Sequence, residues 1–154
     1  MNGGGHIMAK FKLDFEGLDE YLTKLQTLED PSWATKRAVY EGASVMGKQI
    51  LQAVYDLKVG KGGNVNEVQK QGLIEGFGYT KMKNRDGAWI TRIGFDGYNA
   101  DGQPNPMIAN IVNSGTSKYP KTRFVDKAVK QATNACHQAM AESFEKDIEK
   151  LMKE

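Results

Sequence analysis

Residues 105–129 read NPMIANIVNSGTSKYPKTRFVDKAV, and this stretch decides the second half of the fold. Met107, Ile108, Ile111 and Val112 recur at helical spacing behind Pro106, and proline suits a first helical position because its missing N–H would be unpaired there anyway. Gly115 supplies a C-terminal stop, since glycine enters the left-handed region without a Cβ penalty. Thr116, Ser117, Tyr119 and Pro120 then form a turn, and Thr122 is placed to cap a second helix whose first core residues are Phe124, Val125 and Ala128.

Downstream, that second helix is expected from Arg123 to about Met152, with Phe124, Ala128, Ala132, Ala135, Ala139, Phe144, Ile148 and Leu151 on one side. Its alanine-rich middle permits close packing. Upstream, Leu73 to Lys83 and Ala88 to Phe95 read as two extended runs around Asn84-Arg85-Asp86-Gly87, and Asp-Gly between strand-like segments signals a hairpin. Residues 58–72, KVGKGGNVNEVQKQG, have little apolar content and no clear period, so they read as a long loop. Asp96 to Gln103 reads as turns.

At the start of the chain, KFKLDF at 10–15 alternates with Phe11, Leu13 and Phe15 on one face, the period of a half-buried strand. Leu18, Tyr21, Leu22, Leu25 and Leu28 form a helical stripe that ends at Asp30-Pro31. A second helix begins near Pro31 or Ser32 and carries Val39, Ala43, Met46, Ile50, Ala53 and Leu57. Gly42 and Gly47 each cost about 1 kcal/mol inside a helix relative to alanine, which calls for close packing by another helix or a neighbouring subunit. The element order predicts one α+β domain over residues 9–154, a small antiparallel sheet with helices on one face and a long C-terminal helix.

The pattern resembles the HK97 gp10-like family of tailed bacteriophages and prophages. The resemblance rests on the apolar helix, on Asn113-Ser114-Gly115-Thr116 at the family's "Glu-x-Gly-Thr" turn, on Arg123-Phe124 where Pro-Phe is common, and on the long final helix. Phe15, Gly17, Leu18, Leu22, Leu25 and Leu28 look like the family's opening strand-Gly-Leu-helix unit, and Gly72, Leu73 and Ile74 look like its "Thr-Gly-x-Leu" entry to a hairpin. Asn113 stands where the family carries an acid, so that contact must be lost or remade as a neutral hydrogen bond. Gln71 stands where threonine is expected. The resemblance implies a structural virion protein without enzymatic activity, a tail-completion or head-tail joining component located in the tail or neck. Before assembly it would reside in the bacterial host cytoplasm. Its implied partners are copies of itself in a cyclic ring, a hexamer on the tail, and the phage connector or tail-tube proteins.

Composition agrees with a single globular domain: 26% charged and 40% apolar residues over 154 positions, with no apolar run near the ~20 residues that span a bilayer. No membrane partner is expected. The leader MNGGGHIM has no secretory pattern. Its codons fit a purine-rich ribosome-binding site translated in frame before a start at Met8, or a cloning scar, and residues 1–8 are expected to be mobile.

Net charge is +2, unevenly spread. Six acids stand against Lys24 between Asp14 and Asp30, whereas Lys58, Lys61, Lys70, Lys81, Lys83, Arg85 and Arg92 face only Glu67, Glu75 and Asp86 between 58 and 92. Lys58, Lys61, Lys70, Asn84 and Arg85 are therefore the candidate subunit or partner interface, and Asn113, Gly115, Thr116 and Phe124 the structural turn. The alternative function is a small nucleic-acid-binding protein using the basic region 58–92. Phe77, Tyr79 and Trp89 interleave there with cations, but alternate strand residues fall on opposite faces, so aromatics in the core and cations outside explain the pattern without direct nucleic-acid binding.

No cofactor, metal or catalytic residue is expected. Cys136 and His137 are sequence neighbours, which point about 100° apart on a helix and cannot pair as nucleophile and base. DGYNADG at 96–102 puts Tyr98 and Ala100 where a calcium loop needs oxygen ligands. Gly60, Gly62 and Gly63 lie outside any phosphate-loop motif.

Overall fold

The computed structural model describes residues 8–12 and 32–153. Eight elements follow in order: β1 (Met8–Lys12), α1 (Ser32–Tyr55), α2 (Glu67–Gly76), β2 (Phe77–Tyr79), β3 (Lys83–Arg85), β4 (Ala88–Phe95), α3 (Asn105–Ser114) and α4 (Phe124–Met152). The architecture is α+β, with a small antiparallel sheet and a long C-terminal helix, as expected. The stripe at Leu18 to Leu28, residues 13–15 of the first strand and the Asp30-Pro31 stop lie outside the described residues, as do residues 1–7. Met8, expected to end the leader, instead opens β1 opposite Gly94.

β4 is the spine of the sheet. β1 lies along one edge, and β2 and β3 lie end to end along the other. Tyr79 pairs with Ile93 and Lys83 with Ile90, so three residues on the outer strand oppose two on β4. The extra residue makes a bulge. Thr80 secures it: its N–H donates to the Arg92 carbonyl at 2.8 Å, and its hydroxyl oxygen accepts the Arg92 N–H at 2.8 Å. The turn forms at Asp86-Gly87, both at positive φ (54° and 86°), as a tight hairpin turn requires.

One expectation fails in this region. Residues 58–72 are not a continuous loop, because α2 starts at Glu67. Asn66 Oδ1 accepts the Gln69 N–H at 2.8 Å while Gln69 Oε1 accepts the Asn66 N–H at 3.0 Å. This reciprocal cap satisfies two donors that a helix start leaves open, and the buried Gly72 and Leu73 anchor the helix from within. The extended run expected from Leu73 consequently begins only at Phe77.

The core lies between α1, α4 and one face of the sheet. Thr91, Ile93 and Phe95 alternate along β4 onto the buried face. Phe95 joins the layers, its ring 5.8 Å from Phe77 and 6.3 Å from Phe124. α1 and α4 run antiparallel: Arg37 meets Asp147, Gly42 meets Cys136 and Met140, and Gln49 meets Gln131. The two glycines of α1 have separate reasons. A Cβ on Gly42 would lie 2.5 Å from Met140 Cγ, and one on Gly47 would collide with the Tyr79 hydroxyl.

Candidate interaction surfaces

The joint between α3 and α4 is a reciprocal set of hydrogen bonds. Gly115, at φ 77°, ends α3 with its N–H on the Ile111 carbonyl. The Thr116 hydroxyl oxygen accepts the N–H groups of Lys118 and Tyr119 at 3.2 and 3.1 Å and so holds the turn. The chain then returns along the end of α3. The Thr122 N–H and hydroxyl both donate to the Val112 carbonyl, and the Arg123 N–H donates to the Asn113 carbonyl. In the other direction, Asn113 Oδ1 accepts the N–H of Val125 at 3.0 Å and that of Asp126 at 3.4 Å. Thr122 Oγ1 accepts the Phe124 N–H at 3.2 Å. Each helix therefore satisfies orphan groups of the other. The Asn113 amide also donates to Asp126 Oδ2 at 3.3 Å, a bond that an acid at 113 could not make.

The five candidate interface residues do not form one patch. Lys61 is exposed between Gly60 and Gly62, both at positive φ, and Lys58 is exposed where its carbonyl accepts the Asn64 and Val65 N–H groups. Lys70 is committed internally: its Nζ donates to the carbonyls of Tyr55 and Leu57 at 2.6 and 2.9 Å. It thus closes the C-terminal end of α1, where carbonyls are unpaired and the helix dipole favours a cation. Asn84 accepts the Gly87 N–H and shapes the hairpin turn, while Arg85 is exposed beside it. The loop carrying Lys58 and Lys61 borders one cleft and Arg85 another.

Two apolar surfaces stand apart from each other. Trp33, Tyr40, Tyr79 and Met82 line a groove of about 490 Å³ between α1 and the bulged strand, with Lys36 and Arg37 on its rim. Trp33, Tyr40 and Tyr79 remain 41%, 66% and 50% exposed. Burial raises the Tyr79 phenol above its ordinary pKa, and the neighbouring Tyr40 adds to the shift. Lys36 Nζ lies 5.1 Å from the Trp89 ring centre, a cation–π contact that ties α1 to the sheet. The second surface, about 380 Å³, lies where the 60–66 loop meets α3 and includes Met107, Ile111 and Tyr119. Sequence reasoning missed Trp33 and Tyr40. Their spacing with Lys36, Arg37 and Ser44 marks a face of α1 beside the buried stripe, and that is the signal that finds them.

The sheet separates the aromatics from the cations of the hairpin. Trp89 packs under Lys36 and Phe77 against Phe95, on the helix side. Lys81, Lys83, Arg85 and Arg92 line a shallow cleft with Thr80 and Ile90 on the opposite face.

Elsewhere the polar groups serve the fold. Cys136 is fully buried, its thiol donates to the Gly42 carbonyl at 3.2 Å, and burial pushes its pKa up to about 12, so it is a neutral thiol at pH 7. His137 is exposed on the next face of α4. Asn99 Oδ1 accepts the N–H groups of Asp101 and Gln103, and Asp96 Oδ1 accepts that of Gly97, so the 96–102 run is a set of turns. Among the described residues, no group of three or more His, Cys, Asp or Glu side chains is placed to hold a metal, and no helix is long and apolar enough to cross a membrane.

Comparison with family models, with curated proteins and with solved structures finds no match for this chain.

Proposed function

We propose that this chain is a structural component of a tailed phage or prophage particle, a tail-completion or head-tail joining protein that works by protein–protein contact and not by catalysis. The observation that carries the reading is the pair of separated apolar surfaces, one around Trp33, Tyr40 and Tyr79 and one around Met107 and Tyr119. An exposed aromatic cluster such as the first, and an apolar patch such as the second with Tyr119 exposed, mark association sites. Two different patches on one chain are what a heterologous contact requires, and such contacts form rings when the rotation between copies closes. The motif resemblance at 113–116 and 124 supplies the context: a cyclic homo-oligomer seated on a connector or tail tube, in the neck or tail of the virion, assembled in the host cytoplasm.

Deleting the gene from the genome that carries it tests the reading. Unjoined heads and tails, or tails of aberrant length, are expected by electron microscopy. Normal yields of intact infectious particles would sink it. Trp33→Ala combined with Tyr40→Ala, both at exposed positions, should leave the fold intact and reproduce the deletion phenotype.

A further inference from the structure

We propose that the face of the sheet turned away from α1 and α4 is a binding surface for the phosphodiester backbone of duplex nucleic acid, held without regard to sequence. Lys81, Lys83, Arg85 and Arg92 line one cleft, and among the described residues no acidic side chain lines it with them. Among the described residues none of the four pairs with an acid, whereas Arg37 meets Asp147 and Arg123 meets Asp126. Lys83 stands opposite Ile90 and Arg85 opposite Ala88, so these two cations share the β4 face that carries Arg92. β1 borders the other side of that spine, with Lys10 in register with Arg92 and Lys12 with Ile90. Four cations with no acidic partner among the described residues suit a polyanion with regularly spaced charges.

A second observation is independent of charge. Gly78 sits in β2 opposite Gly94, and beside the cationic cleft the two line a shallow depression with Gly76. Glycine weakens a strand and often marks a bulge, a tight bend or a site where a ligand or another backbone approaches closely. A Cβ on Gly78 would meet nothing within 4 Å, so nothing inside the fold demands the glycine. A flat strip next to bare cations lets a polymer backbone lie flush.

The aromatics decide between duplex and single strand. Sites for single-stranded nucleic acid stack bases on aromatic rings. Among the described residues no aromatic lines the cationic cleft, and Phe77 and Trp89 pack on the far side of the sheet. Tyr79 and Phe95 border the neighbouring depression, but the cationic cleft itself holds groups for phosphates and, among the described residues, none that would stack bases.

The test is fluorescence anisotropy of the full chain with a labelled duplex of about 24 base pairs, titrated at several salt concentrations. Four phosphate contacts predict a loss of affinity of about 10²-fold between 50 and 200 mM salt, and replacing three cations should flatten the log–log slope by about 2.7. Those three are Lys81→Gln, Lys83→Gln and Arg85→Gln, all exposed. Lys146→Gln, Lys150→Gln and Lys153→Gln remove the same charge from the end of α4 and its C-cap and should leave the slope unchanged. Gly78→Phe should weaken binding about tenfold or more while melting stays at the wild-type temperature. The proposal is overturned by no binding at 50 mM salt, by equal losses in the two triple variants, by preference for the single strand, or by equal competition from polyglutamate.

Discussion

Asn113 and Val125 lie on different helices, and the side-chain oxygen of the first accepts the backbone N–H of the second at 3.0 Å. The end of α3 thereby caps the start of α4, whose own N-cap residue, Arg123, sits in the left-handed region and makes no side-chain cap bond. Asn113→Ala should lower stability by about 1–2 kcal/mol, read as a lower urea midpoint at unchanged slope, because it orphans donors at a helix start. Asn113→Asp should do less harm, and the harm should shrink in acid. The new carboxylate still accepts from Val125 but faces Asp126 without the donated amide bond.

Gly115→Val is expected to be worse than an ordinary surface change. The residue sits at φ 77°, where a β-branched side chain is strained, and a Cβ would stand 2.8 Å from the Lys121 backbone nitrogen. A loss of more than about 1 kcal/mol should appear in thermal melts. Wild-type stability in this variant would remove the turn from its role as a joint.

Gly42→Ala should destabilise even though alanine favours helices by about 1 kcal/mol over glycine. Its Cβ meets the Met140 side chain at 2.5 Å, in a core where overpacking costs typically 1–3 kcal/mol. Adding Met140→Ala should recover part of that loss, and a double-mutant cycle measures the coupling. Additive effects would show that the helices are not in contact there.

Cys136 links stability to alkaline pH. Below about pH 9, its ordinary value, both folded and unfolded chains hold the proton. Between there and about 12 only the unfolded thiol ionises, so stability falls as pH rises through this window. Cys136→Ala should make denaturation midpoints less pH-dependent between about pH 8 and 10.5. The native thiol should also resist a disulfide reagent at neutral pH until the protein unfolds.

Local chemistry determined a large part of the fold. The 3.6-residue stripe on Val39, Ala43, Met46 and Ile50 fixed α1, Pro106 and Gly115 bounded α3, and Asp86-Gly87 set the hairpin, because each signal acts within a few residues along the chain. The capping box at Asn66 and Gln69 was equally local, yet it lay hidden in a polar, glycine-rich segment whose apolar anchors come only later. Other features depend on residues far apart in sequence. Lys70 closes α1 from 13 and 15 positions away, Gly42 is required by Met140 and Gly47 by Tyr79. The sequence by itself determined the approximate bounds of α1, α3, α4 and the hairpin turn, though not the start of α2 at Glu67, and showed that the hairpin mixes cations with aromatics. Strand alternation already suggested aromatics inside and cations outside, but only the tertiary structure decided that the aromatic side meets α1 and that Trp33 and Tyr40 are left exposed. Strand pairing and helix docking choose which face is buried, and no local pattern carries that choice.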